Sequence, residues 1–287
     1  MGTSESRDQA DVEQFADALM DAIEDDIGGD AAPDVLRSAA FAFRKLGIEF
    51  VRRYNRLEIM AQQGSLTEPV LFVANHGFGG IFDLNVFAVG AALDHLQLDR
   101  PVTILTHQLA WTLGVGPLIE PLGARPASRQ SAEEAFARGE HVAVFPGGDV
   151  DAAKSWEDRN RIVFGGRVGF ARLAIDNGVP VVPMVTAGAG ESLFVVSSGE
   201  RLARALRLDK LLRVKAAPIS VSLPWGLSVG AVGMLPYLPL PSKLVTRVLA
   251  PLRAADGEDA AHFADRVHDA MQRTLDAMTA DRTPLLG

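Results

Sequence analysis

The chain contains no cysteine among its 287 residues. This absence excludes disulfide bonds, catalysis by a thiolate and metal sites built on cysteine, while it says little about the compartment. An excess of basic residues is also missing, because 28 lysine and arginine residues face 36 aspartate and glutamate residues, for a formal net charge of −8. An acidic chain is a poor general binder of nucleic acid. We therefore expect no nucleic-acid partner.

Three chemical signatures are absent or incomplete as well. The stretch GLSVG at residues 226–230 fits G-x-S-x-G, but no predicted helix follows it, so the usual nucleophile elbow of serine hydrolases, a turn between a strand and a helix, is missing. No G-x-x-x-x-G-K-[ST] loop occurs, and the stretches GVGPLI and GAGESL both lack the last glycine of G-x-G-x-x-G, so nothing indicates a nucleotide site of these kinds. Five histidines show no paired spacing typical of metal ligands, and we expect no metal. They are His95, His107, His141, His262 and His268.

A convincing membrane span is also missing. Residues 216–242 carry no charge over 27 positions, which is long enough to cross a bilayer. Five prolines interrupt this stretch, at Pro218, Pro224, Pro236, Pro239 and Pro241. A spanning helix tolerates such a density of proline poorly, so we expect a surface loop that touches lipid or covers a pocket. No arginine-rich or apolar leader precedes the first predicted helix, and we expect no signal peptide.

The first part of the chain is divided by charge. Residues 1–34 hold eleven acidic residues and one basic residue, whereas residues 35–56 hold six basic residues and one acidic residue. Apolar positions three or four apart predict amphipathic helices over residues 8–27 and 35–54. The second helix either packs on a core with its arginines in water, or lies in a membrane interface with its arginines at lipid phosphates. We predict an N-terminal helical extension over residues 1–64, a candidate anchor to the cytoplasmic face of a membrane.

The rest of the chain alternates between strands and helices. Apolar strands are predicted at 69–74, 101–106, 141–145 and 179–186, with a weaker one at 219–223, and helices at 83–93, 128–137 and 165–177. This alternation predicts an α/β domain over residues 65–287, with a largely parallel central sheet flanked by helices. Pro180 and Pro183 predict that the 179–186 strand lies at an edge or ends early.

The stretch VANHGFGG places His76 directly after the first strand of this domain. Ligands of α/β sheets gather beyond the carboxyl ends of strands, and Asp83 follows at the predicted N-cap of the next helix. An aspartate that accepts a hydrogen bond from one ring nitrogen leaves the other nitrogen as a base. The alternatives are a buried, satisfied histidine and a simple helix cap. The residues alone leave both interpretations open.

A second strand ends in the stretch PGGDVD, residues 146–151. Gly147 and Gly148 allow the backbone to approach a ligand closely and to direct N–H groups at an oxyanion. A tight turn is the alternative interpretation. We interpret Asp149 and Asp151 as polar loop residues, because the stretch lacks the glycine and the final glutamate of a calcium loop.

Three stretches, taken in order, resemble the lysophospholipid (glycerolipid) acyltransferase family over about residues 69–186. They are VANHGFGGIFD, GPLIEPLGARPASRQSAEEAFARGEHVAVFPGGD and RVGFARLAIDNGVPVVPM. The resemblance implies that His76 is the general base and that Asp83 orients it, although Asp83 lies two residues later than the family spacing. The stretch around Arg125 resembles an acceptor-binding block. The third block reads Phe-Pro-Gly-Gly instead of Phe-Pro-Glu-Gly-Thr-Arg, which resembles the branch that acylates mono- and diacylglycerols.

The resemblance implies acyl transfer from acyl-CoA or an acyl carrier protein to a lyso-glycerolipid at a membrane surface, without a cofactor. The first acceptor to consider is 1-acylglycerol-3-phosphate, and a neutral glyceride or other alcohol is the alternative, because the arginine of the third block is missing. A lipid or thioester hydrolase and a non-catalytic lipid-binding protein also stay open. The expected substrate-binding residues are Asn75, Arg125, Gly147, Gly148, Arg159, Arg161 and Arg167.

Overall fold

A computed structural model describes residues 32–62, 66–77, 83–112, 114–199, 218–223, 225–229 and 237–287. The helix predicted at residues 8–27 lies outside these residues. Within them, no helix combines the length and the apolar character that a bilayer crossing requires.

The described residues form ten strands. They are β1 (Glu58–Ala61), β2 (Leu71–Ala74), β3 (Val102–Thr106), β4 (Ala124–Pro126), β5 (His141–Val144), β6 (Val181–Ala187), β7 (Phe194–Ser197), β8 (Ile219–Ser222), β9 (Gly226–Val229) and β10 (Val245–Val248). Seven of them form one sheet in the order β1–β10–β6–β2–β5–β3–β4. Only the pairing of β10 with β6 is antiparallel in this sheet. The predicted α/β class with a largely parallel sheet is confirmed, and β1 brings a strand from the N-terminal extension into it.

Helices cover both faces of the main sheet. The helices are α1 (Ala32–Arg53), α2 (Leu84–His95), α3 (Leu109–Thr112), α4 (Gly116–Ile119), α5 (Arg129–Ala137), α6 (Gly148–Ala152), α7 (Gly169–Asp176) and α8 (Ala260–Thr279). Alternate residues of β2 divide between two cores, since successive side chains of a strand point to opposite faces. Leu71 and Val73 pack with α5, α7 and α8, whereas Phe72 packs with α2.

Helix α1 packs against α2 through a narrow apolar stripe. Ile48 and Val51 are buried, and the backbone at Gly47 lies against the ring of Phe87, where a β-carbon would find no room. Other apolar side chains of the helix remain exposed, among them Phe41, Phe43 and Leu46. One stripe of α1 therefore packs on the core, and a second stripe faces outward.

Strand β6 corrects a prediction from its prolines. The strand lies between β2 and β10 and is buried throughout, rather than at an edge. The antiparallel ladder with β10 runs from Ala187 to Met184, opposite Val248, so Pro183 lies one residue beyond it. Its carbonyl accepts from the N–H of Leu249 at 2.9 Å. Pro183 has no N–H to return this bond, so the ladder with β10 ends at Met184 while β6 stays inside the sheet.

Strands β7, β8 and β9 form a separate antiparallel sheet. The weak strand predicted at 219–223 is β8. The prediction of a single surface loop over residues 216–242 is wrong for the residues of this stretch that the structure describes, because Leu227 lies on β9 and Tyr237 is buried. Alternation of side chains across two short strands explains how apolar residues in this stretch divide between the inside and the outside.

His141, at the start of β5, links pH to stability. Its Nδ1 accepts from the N–H of Val70 at 3.2 Å, which requires an unprotonated Nδ1, and burial lowers the pKa of the imidazole below its ordinary value of 6.5. On acidification the unfolded chain takes up a proton here before the folded chain does. We expect the free energy of unfolding to fall as the pH drops below about 6.5. Denaturant titrations at several pH values should show that the free energy of unfolding of His141→Gln depends less steeply on pH than that of wild type. An equal pH dependence of the two proteins would contradict this.

Candidate active site

His76 and Asp83 meet at the carboxyl end of β2. The Nδ1 of His76 lies 2.7 Å from Oδ2 of Asp83, and both side chains are largely buried. The other carboxylate oxygen of Asp83 accepts from the N–H of Asn85 at 2.9 Å and caps α2. Asp83 thus caps the helix and holds the imidazole at the same time. The two additional residues between His76 and Asp83 do not prevent their contact.

The contact with Asp83 defines the tautomer of His76. A carboxylate accepts hydrogen bonds, so Nδ1 carries the hydrogen and Nε2 keeps its lone pair. The ring of Phe145, at the end of β5, stacks on the imidazole with centroids 4.6 Å apart. Nε2 makes no hydrogen bond within the part of the chain that the structure describes. In this geometry the lone pair on Nε2 can accept a proton, so His76 can act as a general base.

Asn75 joins the ends of β2 and β6. Its side-chain nitrogen donates to the carbonyl of Thr186 at 3.1 Å, and its side-chain oxygen accepts from the N–H of Thr186 at 2.9 Å. The backbone carbonyl of Asn75 accepts from Asn85 at 2.6 Å. Both polar atoms of this buried amide bind the backbone of Thr186, so Asn75 ties the two strand ends together, and its substrate-binding role stays a prediction.

A buried ion pair holds the main chain of His76. Oδ2 of Asp151 accepts from the N–H of His76 at 2.7 Å, and the ammonium of Lys154 donates to the carbonyl of His76 at 3.1 Å. Asp151 and Lys154 pair at 2.7 Å, with side chains 0% and 5% exposed. The same two side chains bind the backbone of Arg161 and Val163. This clamp, Asp151 with Lys154, fixes the base against the loop that follows α6.

The glycine pair forms a tight turn after β5. The N–H of Gly148 donates to the carbonyl of Phe145 at 3.1 Å, so that group is already occupied within the turn. A β-carbon added at Gly147 would lie 2.2 Å from the β-carbon of Asp151, so a side chain has no room at this position. Arg167 donates to the carbonyls of Pro146 and Gly147. The glycines thus bring the turn close to Asp151, and the oxyanion role predicted for the pair is not available to Gly148 in this conformation.

The four arginines predicted to bind the acceptor lie in different surroundings. The guanidinium of Arg167 donates to carbonyls of the turn and pairs with the carboxylate of Asp149 at 2.9 Å. Arg125 lies on β4, three strands from β2, and donates to the carbonyls of Glu120 and Ala124. Arg161 is mostly exposed and pairs with Asp158. The structure therefore does not gather these side chains into one cluster.

Arg159 lies beside Trp156 and the segment that follows β6. Its guanidinium stacks on Trp156 at 4.7 Å and donates to the carbonyl of that residue. Gly190 lies against Arg159, and the neighbouring Ala189 lies against Gly77, the residue after His76. The Nε of Arg159 is buried without a hydrogen-bond partner among the residues that the structure describes.

Tyr237 completes the surroundings of the pair. Burial raises the pKa of its phenol above the ordinary value, and the nearby charge of Asp83 acts in the same direction, while a hydrogen bond with Ser192 opposes both. The hydroxyl therefore stays protonated beside the site. Sequence patterns gave no signal for Tyr237 or Lys154, and the only signal for Asp151 was its place three residues after a glycine pair.

The model of the family described as "Acyltransferase" matches residues 46–187. The matched region includes β1 to β6, both residues of the His76–Asp83 pair and the clamp. This chain belongs to the acyltransferase family. The resemblance found in the motifs is thereby confirmed, and the third-block departures lie inside the matched region of this acyltransferase.

Relatives of this acyltransferase occur in bacteria and animals. An uncharacterized protein of Mycobacterium tuberculosis is 28% identical over 243 residues, which are 81% of this chain and 64% of that protein. The chain therefore spans less than two thirds of the length of its mycobacterial relatives. The Bos taurus "DGAT1/2-independent enzyme synthesizing storage lipids" is 31% identical over 163 residues, which are 57% of this chain and 42% of that protein. The solved "1-acyl-sn-glycerophosphate (LPA) acyltransferase, PlsC" of Thermotoga maritima has a TM-score of 0.48 at 15% identity, over 88% of this chain and 83% of that chain.

Proposed function

We propose that this acyltransferase moves a fatty acyl group from a thioester donor, acyl-CoA or acyl carrier protein, to a hydroxyl of a glycerolipid. The observation that carries the proposal is the 2.7 Å contact between His76 and Asp83 at the end of a central strand. A histidine so held has one nitrogen available to accept a proton, and strand ends of α/β sheets are where ligands bind.

The proposed reaction is a direct transfer with one proton passed through His76. Nε2 accepts the proton of the acceptor hydroxyl while the hydroxyl oxygen forms a bond to the thioester carbonyl carbon. The carbon–sulfur bond then breaks, and the imidazolium returns the proton to the leaving thiolate. Asp83 stabilises the imidazolium between these steps, as a carboxylate does beside a catalytic histidine. The products are an ester and a free thiol.

A neutral acceptor, a mono- or diacylglycerol, is the first candidate. A phosphate needs cations with free donors, yet Arg167 and Arg125 donate to backbone carbonyls of their own chain. The name of the bovine relative, which refers to storage lipids, supports the same class. The change from Glu-Gly-Thr-Arg to Gly-Gly in the third block is consistent with an acceptor that carries no phosphate.

The second candidate acceptor is 1-acylglycerol-3-phosphate. Arg159 favours it, because its main chain and Cβ lie against Gly190, whose neighbour Ala189 contacts Gly77, and its buried Nε has no partner in the described part of the chain. Arg161, 73% exposed at its side chain, is a further cation on the same loop. A phosphate held by one arginine would contribute roughly 1.5–3 kcal/mol through charge-assisted hydrogen bonds.

An acceptor panel distinguishes the two candidates. Purified protein receives radiolabelled acyl-CoA with monoacylglycerol, diacylglycerol or 1-acylglycerol-3-phosphate, and the products are separated by thin-layer chromatography. We expect transfer to a neutral glyceride, and Arg159→Gln should leave its rate within about threefold. If 1-acylglycerol-3-phosphate is the acceptor instead, the same variant should raise its KM by about 10- to 100-fold. Arg253→Gln, on a different surface, is the matched control.

The same assay tests the competing functions. Release of free fatty acid without transfer to any acceptor would favour a hydrolase in which His76 activates water. Neither release nor transfer with acyl-CoA or acyl carrier protein would contradict the proposal and favour a lipid-binding protein.

A further inference from the structure

The small sheet formed by β7, β8 and β9 turns serine side chains inward. One row of cross-strand neighbours is buried and consists of Val195, Ser220 and Ser228. The next row is exposed and apolar and consists of Phe194, Val221 and Leu227. A surface antiparallel sheet normally buries its apolar side chains and exposes its polar ones. The two serines therefore lie on the side of the sheet where a hydroxyl most needs a hydrogen-bond partner.

Neither serine hydroxyl has a partner in the described part of the chain. Ser220 is 0% exposed and Ser228 is 3% exposed, and the Oγ atoms of both are buried without a hydrogen bond to these residues. Ser228 is the serine of the GLSVG stretch, and it lies within β9 rather than at a turn before a helix. A buried hydroxyl without a hydrogen bond costs free energy, and a bound molecule that supplies the bond removes this cost. The two serines thus indicate a polar ligand.

The inward side of the sheet extends beyond the three strands. The N–H of Leu238 donates to the carbonyl of Leu223 at 2.9 Å, at an antiparallel bridge just after β8. Both leucines are exposed, and because side chains alternate along a strand, Tyr237 lies on the opposite side, with the serines. Tyr237 packs there with Leu193 and Val195. We define the inward face by its described buried members, which are Val195, Ser220, Ser222, Ser228 and Tyr237.

A short series of contacts leads from the inward face to the candidate base. Tyr237 forms a hydrogen bond with Ser192. The hydroxyl of Ser192 donates to the carbonyl of Ala189 at 2.8 Å, and Ala189 lies against Gly77, the residue after His76. The serines of β8 and β9 therefore share a face with a tyrosine that adjoins the candidate active site.

The chemistry of the inward face fits an uncharged hydroxyl. A serine hydroxyl can donate one hydrogen bond while it accepts another, as the alcohol groups of a glyceride do. A phosphate prefers arginine or lysine, and the inward face, as defined by its described members, holds neither. A monoacylglycerol carries two free hydroxyls, whereas a diacylglycerol carries one. Because one hydroxyl gives its proton to His76 in the proposed reaction, only a monoacylglycerol has a second hydroxyl left for the serines.

We propose that Ser220 and Ser228 form an acceptor subsite that binds the non-reacting hydroxyl of a monoacylglycerol. The inference rests on the proposed function and deepens it, because it names the neutral glyceride that the enzyme prefers and the residues that select it. Neither serine takes part in making or breaking a bond. They hold the glycerol so that its other hydroxyl reaches Nε2 of His76.

Binding of a short-chain monoacylglycerol without any donor tests the subsite directly. Monohexanoylglycerol is titrated into the full-length protein, and its Kd is measured by calorimetry. The double variant Ser220→Ala with Ser228→Ala should raise this Kd roughly 10- to 100-fold, because it removes two hydrogen bonds between neutral groups. Ser242→Ala is the matched control, since it removes another buried hydroxyl without a partner among the described residues, and it should bind like wild type. Equal Kd values for the double variant and wild type, or no binding by wild type, would overturn the subsite.

Acceptor analogues separate recognition of the hydroxyl from a loss of packing. The monoesters of 1,2- and 1,3-propanediol each keep one of the two free hydroxyls of a monoacylglycerol. Wild type should use them with a KM raised roughly 10- to 100-fold. The double variant should show no further loss with them, because the variant and the analogue remove the same hydrogen bonds. Additive losses would overturn the subsite.

Thermal unfolding shows whether the chain itself holds the two hydroxyls. Removing a buried hydroxyl that has no partner stabilises a fold, so Ser220→Ala and Ser228→Ala should each raise the melting temperature by about 2–4 °C. Lower melting temperatures for both variants would show that the hydroxyls are bonded within the protein. That result would overturn the subsite.

Activity separates this proposal from the proposed function. Serine-dependent binding of monohexanoylglycerol by a protein that transfers acyl groups to no acceptor would overturn the proposed function and support the subsite. Acyl transfer that prefers diacylglycerol or 1-acylglycerol-3-phosphate to monoacylglycerol would support acyl transfer and overturn the subsite.

Discussion

Replacing His76 with alanine is expected to lower kcat/KM for acyl transfer by about 100- to 10,000-fold, the contribution typical of a positioned general base. The reason is that Nε2 alone accepts the hydroxyl proton in the proposed reaction, while the Nδ1 hydrogen bond to Asp83 keeps the ring oriented. Rates are measured with labelled acyl-CoA and the best acceptor of the panel. Thermal unfolding of the same sample establishes that the variant is folded.

Asp83→Asn is the companion of this variant. Asparagine caps helices as well as aspartate does, so α2 should persist, whereas the amide holds the imidazole in the wrong tautomer and cannot stabilise the imidazolium. We expect a loss of up to about 10,000-fold. If the two residues act as one unit, the double variant should be little worse than His76→Ala alone.

His262→Ala is the matched control. Its imidazole lies 3.8 Å from the carboxylate of Asp259, but its side chain is 81% exposed on α8. We expect its rate to equal that of wild type. Acyl transfer by His76→Ala within about threefold of wild type would exclude His76 as the base in the proposed mechanism.

Replacing Lys154 with methionine should have the second-largest effect, on both stability and turnover. The change leaves the carboxylate of Asp151 buried without its ammonium partner, which costs about 3–5 kcal/mol of unfolding free energy. It also removes the donor to the carbonyl of His76. Because a small displacement of a catalytic group slows reaction strongly, we expect kcat to fall by about 10- to 100-fold. KM should change little, since the clamp is buried below the site.

Arg282→Met separates positioning from general destabilisation. Arg282 and Glu191 form another buried ion pair, with side chains 4% and 1% exposed, so the stability loss should be similar. The rates of both variants are compared at a temperature below both unfolding transitions. We expect only Lys154→Met to lower kcat. Equal kcat values for the two variants would show that the clamp stabilises the fold without positioning His76.

Asp151→Asn is a milder version of the same change. The amide keeps the volume of the carboxylate, so the variant is expected to fold even if Lys154→Met does not. An amide oxygen offers fewer acceptor positions than a carboxylate for the N–H groups of His76 and Val163 and for Lys154. The expected outcome is again a reduced kcat with a nearly constant KM.

Local patterns were sufficient for much of the fold. The apolar runs that became β2 and β5, and the capping residues Asp83 and Ser128, are encoded by neighbours in the chain. The prediction from the prolines of β6 was wrong, because β10 pairs with the part of the strand beyond Pro183, from Met184 to Ala187. That register is set by residues about 60 positions away.

The candidate site divides in the same way. His76 at a strand end and Asp83 at a helix cap were visible, since both depend on positions within one strand–helix unit. Asp151 and Lys154 bind the main chain of His76 across 75 and 78 residues. Asp149 and Asp151, which were predicted to be polar loop residues, lie on α6 instead. Polar residues of this kind look alike in sequence whether they face water or a buried backbone. Their role became visible only once the ends of β2 and β5 were seen to lie side by side.

The sequence by itself determined the α/β alternation, the family and the candidate base, because hydrophobic period, capping and motif order are local properties of the chain. The tertiary structure decided three things. It closed the contact between His76 and Asp83 despite the longer spacing, it buried the clamp beneath the base, and it turned the apolar residues of β7, β8 and β9 outward. Each depends on which strands pair and in which register, and packing between distant segments selects that arrangement.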